Sequence, residues 1–127
     1  MDNTASTAGA AAPPEEIRVS ADRRTLVLIQ PGGQRDELSA EMLRVMSPSA
    51  EVQGHSPEQR KTVGGKLNVQ ITDIRPIGRY AVRIVFDDRH DSGIYSWTYL
   101  TALASDADRR WQTYLDELAA KGLRREP

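Results

Sequence analysis

Phe86-Asp87-Asp88-Arg89-His90-Asp91-Ser92-Gly93-Ile94-Tyr95-Ser96-Trp97-Thr98-Tyr99-Leu100 is the stretch whose reading decides the fold. It reads as the end of a strand, a turn centred on Asp88-Arg89-His90, a tight step at Ser92-Gly93, and an aromatic-rich helix. The strand extends back to Arg79. Tyr80, Val82, Ile84 and Phe86 alternate onto one face, and Arg79, Ala81, Arg83 and Val85 onto the other. One apolar and one mixed face is the pattern of an antiparallel sheet covered by helices on one side. Beyond the turn, a helix starts near Ser96, with Trp97, Leu100 and Ala104 along one side and Tyr99 and Leu103 adjacent. A further helix runs from about Asp106 to Lys121. Trp111, Tyr114, Leu115 and Leu118 recur at helical spacing, and Gly122 is a natural residue to end it.

Upstream, Ile17-Arg18-Val19 and Leu26-Val27-Leu28-Ile29 are two strands joined by a turn near Ala21-Asp22-Arg23. Pro31-Gly32-Gly33 stops the second strand. A short helix follows. Ser39 is its N-cap, Leu38 and Leu43 have the spacing of a hydrophobic staple, and Met42, Leu43 and Met46 form the apolar stripe. Ser47-Pro48 ends it, because the residue before proline avoids helical geometry. Ala50 to Lys66 reads as a long polar loop, and Val69 to Asp73 as a third strand. Arg75-Pro76-Ile77-Gly78 reads as a turn with proline early and glycine late. The expected class is α+β in two layers. A small antiparallel sheet of about four strands packs against two to three helices. There are no internal sequence repeats.

The 127 residues suffice for one ordinary domain and not for two. Residues 1–14 offer little to bury and are expected to be a disordered tail, residues 15–104 the domain, and residues 105–127 a C-terminal helix packing on it. The chain has no cysteine, which removes disulfides, thiolate nucleophiles and cysteine-ligated clusters. A formal net charge of −1 gives no global field towards nucleic acid. No apolar run approaches the roughly 18 residues of a membrane span. A cytoplasmic, bacterial protein fits these features.

Three segments carry a resemblance. They are the 86–100 stretch, Leu43-Arg44 with Ser47-Pro48-Ser49-Ala50-Glu51-Val52, and Ile74-Arg75-Pro76-Ile77-Gly78-Arg79-Tyr80-Ala81-Val82. Together, across roughly Ile17 to Leu103, the chain resembles the gamma-butyrobetaine hydroxylase-like N-terminal domain family, as a stand-alone bacterial member. The resemblance implies a small α+β domain that occurs alone in bacteria, ahead of the oxygenase domain of carnitine-pathway hydroxylases, or fused to P-loop ATPases of iron–sulfur cluster assembly. In the hydroxylases it carries a structural zinc held by three cysteines and a histidine. The histidine corresponds to His90 and the cysteines to Ser47, Ser49 and Val52. Neutral serine is a poor zinc ligand and valine is none, so no metal and no cofactor is expected. Arg89 stands where the family usually has the glycine of the turn.

His90, between Asp88 and Asp91, has two readings. It is a turn histidine bonded within the fold, or a proton shuttle or metal ligand tuned by carboxylates. His55, with His90 and Asp91, is the one histidine–carboxylate combination for a metal, and it needs the 50–66 loop to fold back over the turn. No nucleophile elbow surrounds Ser47 or Ser49. Gly64-Gly65-Lys66 lacks the rest of a phosphate loop and reads as a turn. Tyr95, placed in the helix with Trp97 and Tyr99, is a candidate docking aromatic, whereas Trp97 reads as core. Arg44 is a structural ion pair with the turn or a contact for a partner.

The expectation is thus a non-catalytic accessory module with an unidentified protein partner. Its candidate binding residues are His90, Arg44, Arg89, Asp88, Asp91 and Tyr95. The alternative is a metal- or small-ligand-binding domain centred on His90. The C-terminal helix would also allow a homo-oligomer.

Overall fold

The computed structural model describes residues 12–127. Most of the segment expected to be a tail, residues 1–11, lies outside the described residues. Sheet one is an antiparallel meander of β1 (Glu16–Val19), β2 (Thr25–Ile29) and β3 (Arg35–Ser39). Helices α1 (Ala40–Val45) and α2 (Ala50–Gln53) and a single 3-10 turn (Pro57–Gln59) follow. Sheet two is a second meander, β4 (Ile71–Ile77), β5 (Ala81–Phe86) and β6 (Ile94–Ser96), and α3 (Trp97–Ser105) and α4 (Ala107–Ala120) complete the chain. The class is the expected α+β. The single sheet of about four strands is instead two sheets of three strands each.

The two halves share one device that sequence similarity does not show. In each, the last strand runs directly into a helix, and a serine makes the corner. Ser39 Oγ accepts from Met42 N at 3.0 Å, and Ser96 Oγ accepts from Tyr99 N at 3.0 Å. Each serine occupies an N-cap, where it satisfies a donor that the first helical turn leaves unpaired.

Several sequence expectations are corrected. β3 was not expected, since Leu38 is the one apolar residue in Arg35-Asp36-Glu37-Leu38-Ser39. It forms because β2 offers a ladder edge, with Leu26 opposite Leu38. The Arg75-Pro76 pair lies inside β4 and not in a turn. β4 is an edge strand, where a residue without N–H is tolerated. The turn is displaced to Gly78, whose φ is 55°. Tyr80 falls in that turn and is 62% exposed, so it leaves the apolar face assigned to it. The 50–66 segment is not one open loop, because α2 and the 3-10 turn occupy part of it.

One apolar core joins both sheets to α1 and α3. Leu26, Leu28, Leu38, Leu43, Ile71, Ile84, Phe86, Leu100 and Leu103 are buried in it. The sheets are also tied through the β1–β2 turn. Arg23 Nε donates to the carbonyl of Ile71 at 2.6 Å, and Ile71 N donates back to Arg23 O at 2.8 Å. A smaller cluster of Val45, Tyr114 and Leu118 seats α4. Residues after α4 return to the body, where Gly65 N and Leu67 N donate to the carbonyls of Arg124 and Arg125. Arg125 forks onto the buried Glu41 carboxylate at 2.7 and 2.9 Å, with its guanidinium 5.3 Å from the centre of the Trp111 ring. Among the described residues no helix is long and apolar enough to cross a membrane.

Candidate functional site

The turn after β5 is closed by backbone bonds. Arg89 N donates to Phe86 O, and Phe86 N donates to His90 O at 2.9 Å. This places Arg89 at φ 72°, in the left-handed region. A Cβ there costs roughly 1 kcal/mol, which is the geometry that suits the family's glycine. The Arg89 side chain is exposed.

His90 turns inward and is 6% exposed. Its Nε2 is hydrogen-bonded to Ser47 Oγ at 2.9 Å, with Ser49 Oγ at 3.5 Å. Ser47 Oγ also accepts from Ser49 N at 3.3 Å. Glu51 stands 3.6 Å from Nδ1, beyond hydrogen-bonding distance. Burial pushes the His90 imidazole below its ordinary pKa, and the nearby Arg44 cation adds to this. The carboxylates of Glu51, Asp88 and Asp91 act in the other direction and do not prevail.

Asp88 holds the turn to the rest of the fold. Its Oδ2 accepts from Lys66 Nζ at 2.6 Å and Arg44 Nε at 2.8 Å, and its Oδ1 accepts from the His90 N–H at 3.1 Å. Burial alone would raise the carboxyl, but the Lys66, His90 and Arg44 donors outweigh it and bring its pKa down to about 2. Arg44 is therefore committed to an ion pair inside the fold, and its Nη1 is buried without a partner.

The structure brings His90, Arg44, Asp88, Ser47 and Ser49 together and leaves the other candidates apart. Asp91 is exposed. His55 is exposed in the segment after α2, and its backbone N–H donates to Gln59 Oε1. Tyr95 is corrected in two respects: it lies in β6 and not in the helix, and it is fully buried. It is therefore no docking surface. Its hydroxyl donates to Leu43 O, while that of Tyr99 donates to Met46 O. The two phenols thus satisfy carbonyls at the C-terminal end of α1. Burial raises the pKa of both hydroxyls, which keeps them protonated as donors. Trp97 is core, its Nε1 donating to Arg79 O at 2.6 Å.

The residues do not fit the family's zinc. Two ligands of a tetrahedral zinc with bonds near 2.0 Å stand about 3.3 Å apart. Ser47 Oγ and His90 Nε2 are at 2.9 Å, already in direct contact. Val52, at the third cysteine position, is buried with no donor atom. Among the described residues no three His, Asp or Glu side chains converge as a metal site. At two of the positions that the resemblance aligns with zinc ligands, Ser47 and His90 are instead hydrogen-bonded to each other.

Sequence reasoning missed Lys66, Glu51 and Gly93 as members of this cluster. Lys66 and Asp88 are 22 residues apart, with no local pattern linking them. Gly93 is required by space. A Cβ on it would stand 2.6 Å from Ser47 Oγ and 2.9 Å from Tyr95 Cε1.

Comparisons with known proteins agree with this architecture. The model of the family described as gamma-butyrobetaine hydroxylase-like, N-terminal, matches residues 17–101. Two NMR solution structures of proteins are each 44% identical to this chain. One covers 91% of this chain and 91% of its own at a TM-score of 0.78. The other covers 92% and 87% at 0.79. A crystal structure of a protein of unknown function of the DUF971 family, from Acidithiobacillus ferrooxidans ATCC 23270, is 34% identical, covering 72% of this chain and 91% of that one at a TM-score of 0.60. No curated protein matches. With its signature turn, its two meanders and 85 consecutive residues under the family model, the chain belongs to the gamma-butyrobetaine hydroxylase-like N-terminal domain family.

Proposed function

We propose that this domain is a non-catalytic accessory module that acts by holding a protein partner. The observation carrying this reading is the enclosure of His90. The one histidine with neighbours suited to chemistry is 6% exposed and hydrogen-bonded to a fully buried Ser47. A general base or a nucleophile must reach its substrate's atoms, and neither side chain opens onto solvent. The cluster's chemistry is directed at fixing a turn. What is left for function is the surface. Kinship with domains that accompany oxygenases and iron–sulfur assembly ATPases directs the search to those two classes of cytoplasmic protein.

The test is retention by immobilised full-length chain from a bacterial cytoplasmic lysate, followed by rebinding of the purified captured protein. The expected result is a stoichiometric partner held equally by wild type and by His90→Gln, at a temperature where both are folded. Retention of nothing above background would contradict the reading. So would a folded His90→Gln protein that has lost its partner.

A further inference from the structure

A cleft of about 550 Å³ opens between the end of α1, residues 60–62 and helices α3 and α4. That volume lies within the roughly 300–1,000 Å³ of ligand sites. Its floor is Val45, Met46, Pro48 and the rings of Tyr99 and Tyr114. Both phenol hydroxyls are engaged. Tyr99 donates to Met46 O, and Tyr114 donates to Val63 O at 2.6 Å. Val45 and Tyr114 are buried, so the surface the floor offers is that of Met46, Pro48 and the half-buried Tyr99 ring, with the hydroxyl donors kept to the fold.

The rim has the opposite character. It carries four basic residues, Arg60, Lys61, Arg109 and Arg110, against two carboxylates, Glu117 in the lining and Asp106 beside it. Glu117 is already paired with Arg60, and Asp106 pairs with Arg109 and, at 3.3 Å, with Arg110. Lys61 has no ion-pair partner among the described residues. This positive rim stands on a chain of formal net charge −1, so it is a local feature. Complementary charge steers and orients a partner, while an apolar anchor in a pocket supplies most of the binding free energy.

We propose that this cleft seats an acidic peptide segment of a protein partner. One bulky apolar side chain rests on Met46, Pro48 and the Tyr99 ring, and flanking carboxylates meet Lys61 and share Arg110 with Asp106. The rim cations come from two separate elements, which suits more than one carboxylate on the same ligand. This inference rests on the partner-holding reading above and names the partner's chemistry.

The experiment is an NMR titration of the full chain with three probes. They are the acetylated peptide Asp-Glu-Leu-Phe-Asp-Asp, its counterpart with lysine at every acidic position, and free phenylacetate. The expected result is saturable shifts at Tyr99, Arg110 and Tyr114 with the acidic peptide, weakened by added salt. The double variant Lys61→Glu/Arg110→Glu, compared with wild type at a temperature where both are folded, should bind it at least tenfold more weakly. Equal binding of the lysine peptide, the absence of saturable cleft shifts at millimolar acidic peptide, or phenylacetate binding as tightly as the peptide would each overturn the proposal. If the double variant still retains the captured protein, the cleft is removed from the account and the partner-holding reading stands.

Discussion

Asp88→Asn lowers stability by about 2–3 kcal/mol at pH 7. The carboxylate takes Lys66 and Arg44 on one oxygen and the His90 N–H on the other. The Arg44 side chain is only 12% exposed, so the variant leaves two cations facing each other with little water to screen them. The pH dependence carries the same signature. With a folded pKa of about 2, below its ordinary 3.8, the carboxyl binds fewer protons folded than unfolded. Its contribution is fully present above pH 4 and is lost as pH falls towards 2, and the shift is worth roughly 2 kcal/mol. His90 adds a second window. Its folded pKa is held below 6.5, so stability is complete above that pH and declines as pH drops below it. Urea titrations from pH 7 to pH 2 check both points. Asp88→Asn should make the loss between pH 4 and 2 shallower, leaving the share of Asp22, Glu58, Asp73 and Asp106, whose carboxyls are also held low, and keep the milder loss below pH 6.5. An Asn variant as stable as wild type at pH 7 would show that Asp88 is not the anchor of the turn.

Gly93→Ala should cost about 3 kcal/mol. No left-handed φ is involved at this residue, so the cost is one of space. The added methyl would stand 2.6 Å from Ser47 Oγ, with the Tyr95 ring behind it at 2.9 Å. Ser47 can escape only by rotating its hydroxyl, which gives up His90 Nε2. The Tyr95 ring is fully buried and its hydroxyl is held by Leu43 O. Chemical denaturation measures the loss, and the His90 ring resonances should move with it. Ser47→Ala on the Gly93→Ala background should recover part of the stability, because it removes the clashing oxygen. A fully stable Gly93→Ala protein with unmoved His90 resonances would mean that the packing around Ser47 is looser than described.

What the sequence disclosed follows from how local each signal is. β5 is a run of β-branched and aromatic residues with Val82, Ile84 and Phe86 on one face, and the Ser39 cap obeys a rule confined to one helical turn, so both were legible. β3 and β6 were not. β3 is a charged segment made into a strand by the β2 edge, a tertiary cause. From β6 into α3, Tyr95, Trp97 and Tyr99 are spaced by two residues, which fits the end of a strand as well as the start of a helix. Pro76 signalled a turn because its tolerance on an edge strand depends on the strand order. At the site, the turn around His90, the pairing of Arg44 with Asp88, and the strained Arg89 were all within reach of local pattern and family likeness. Lys66 and the cleft were not. A signal for the cleft did exist in the two basic doublets, Arg60-Lys61 and Arg109-Arg110, but only the fold brings them to one rim.

The most direct measurement is a titration of the metal-free full chain with Zn²⁺, then with Fe²⁺ under anaerobic conditions, following the His90 and His55 imidazole resonances. With His90 Nε2 bonded to Ser47 Oγ and no cysteine in the chain, no saturable, site-specific response is expected at His90. A stoichiometric response at His90 with micromolar or tighter affinity would contradict this, and would make the serines part of a changed ligand set.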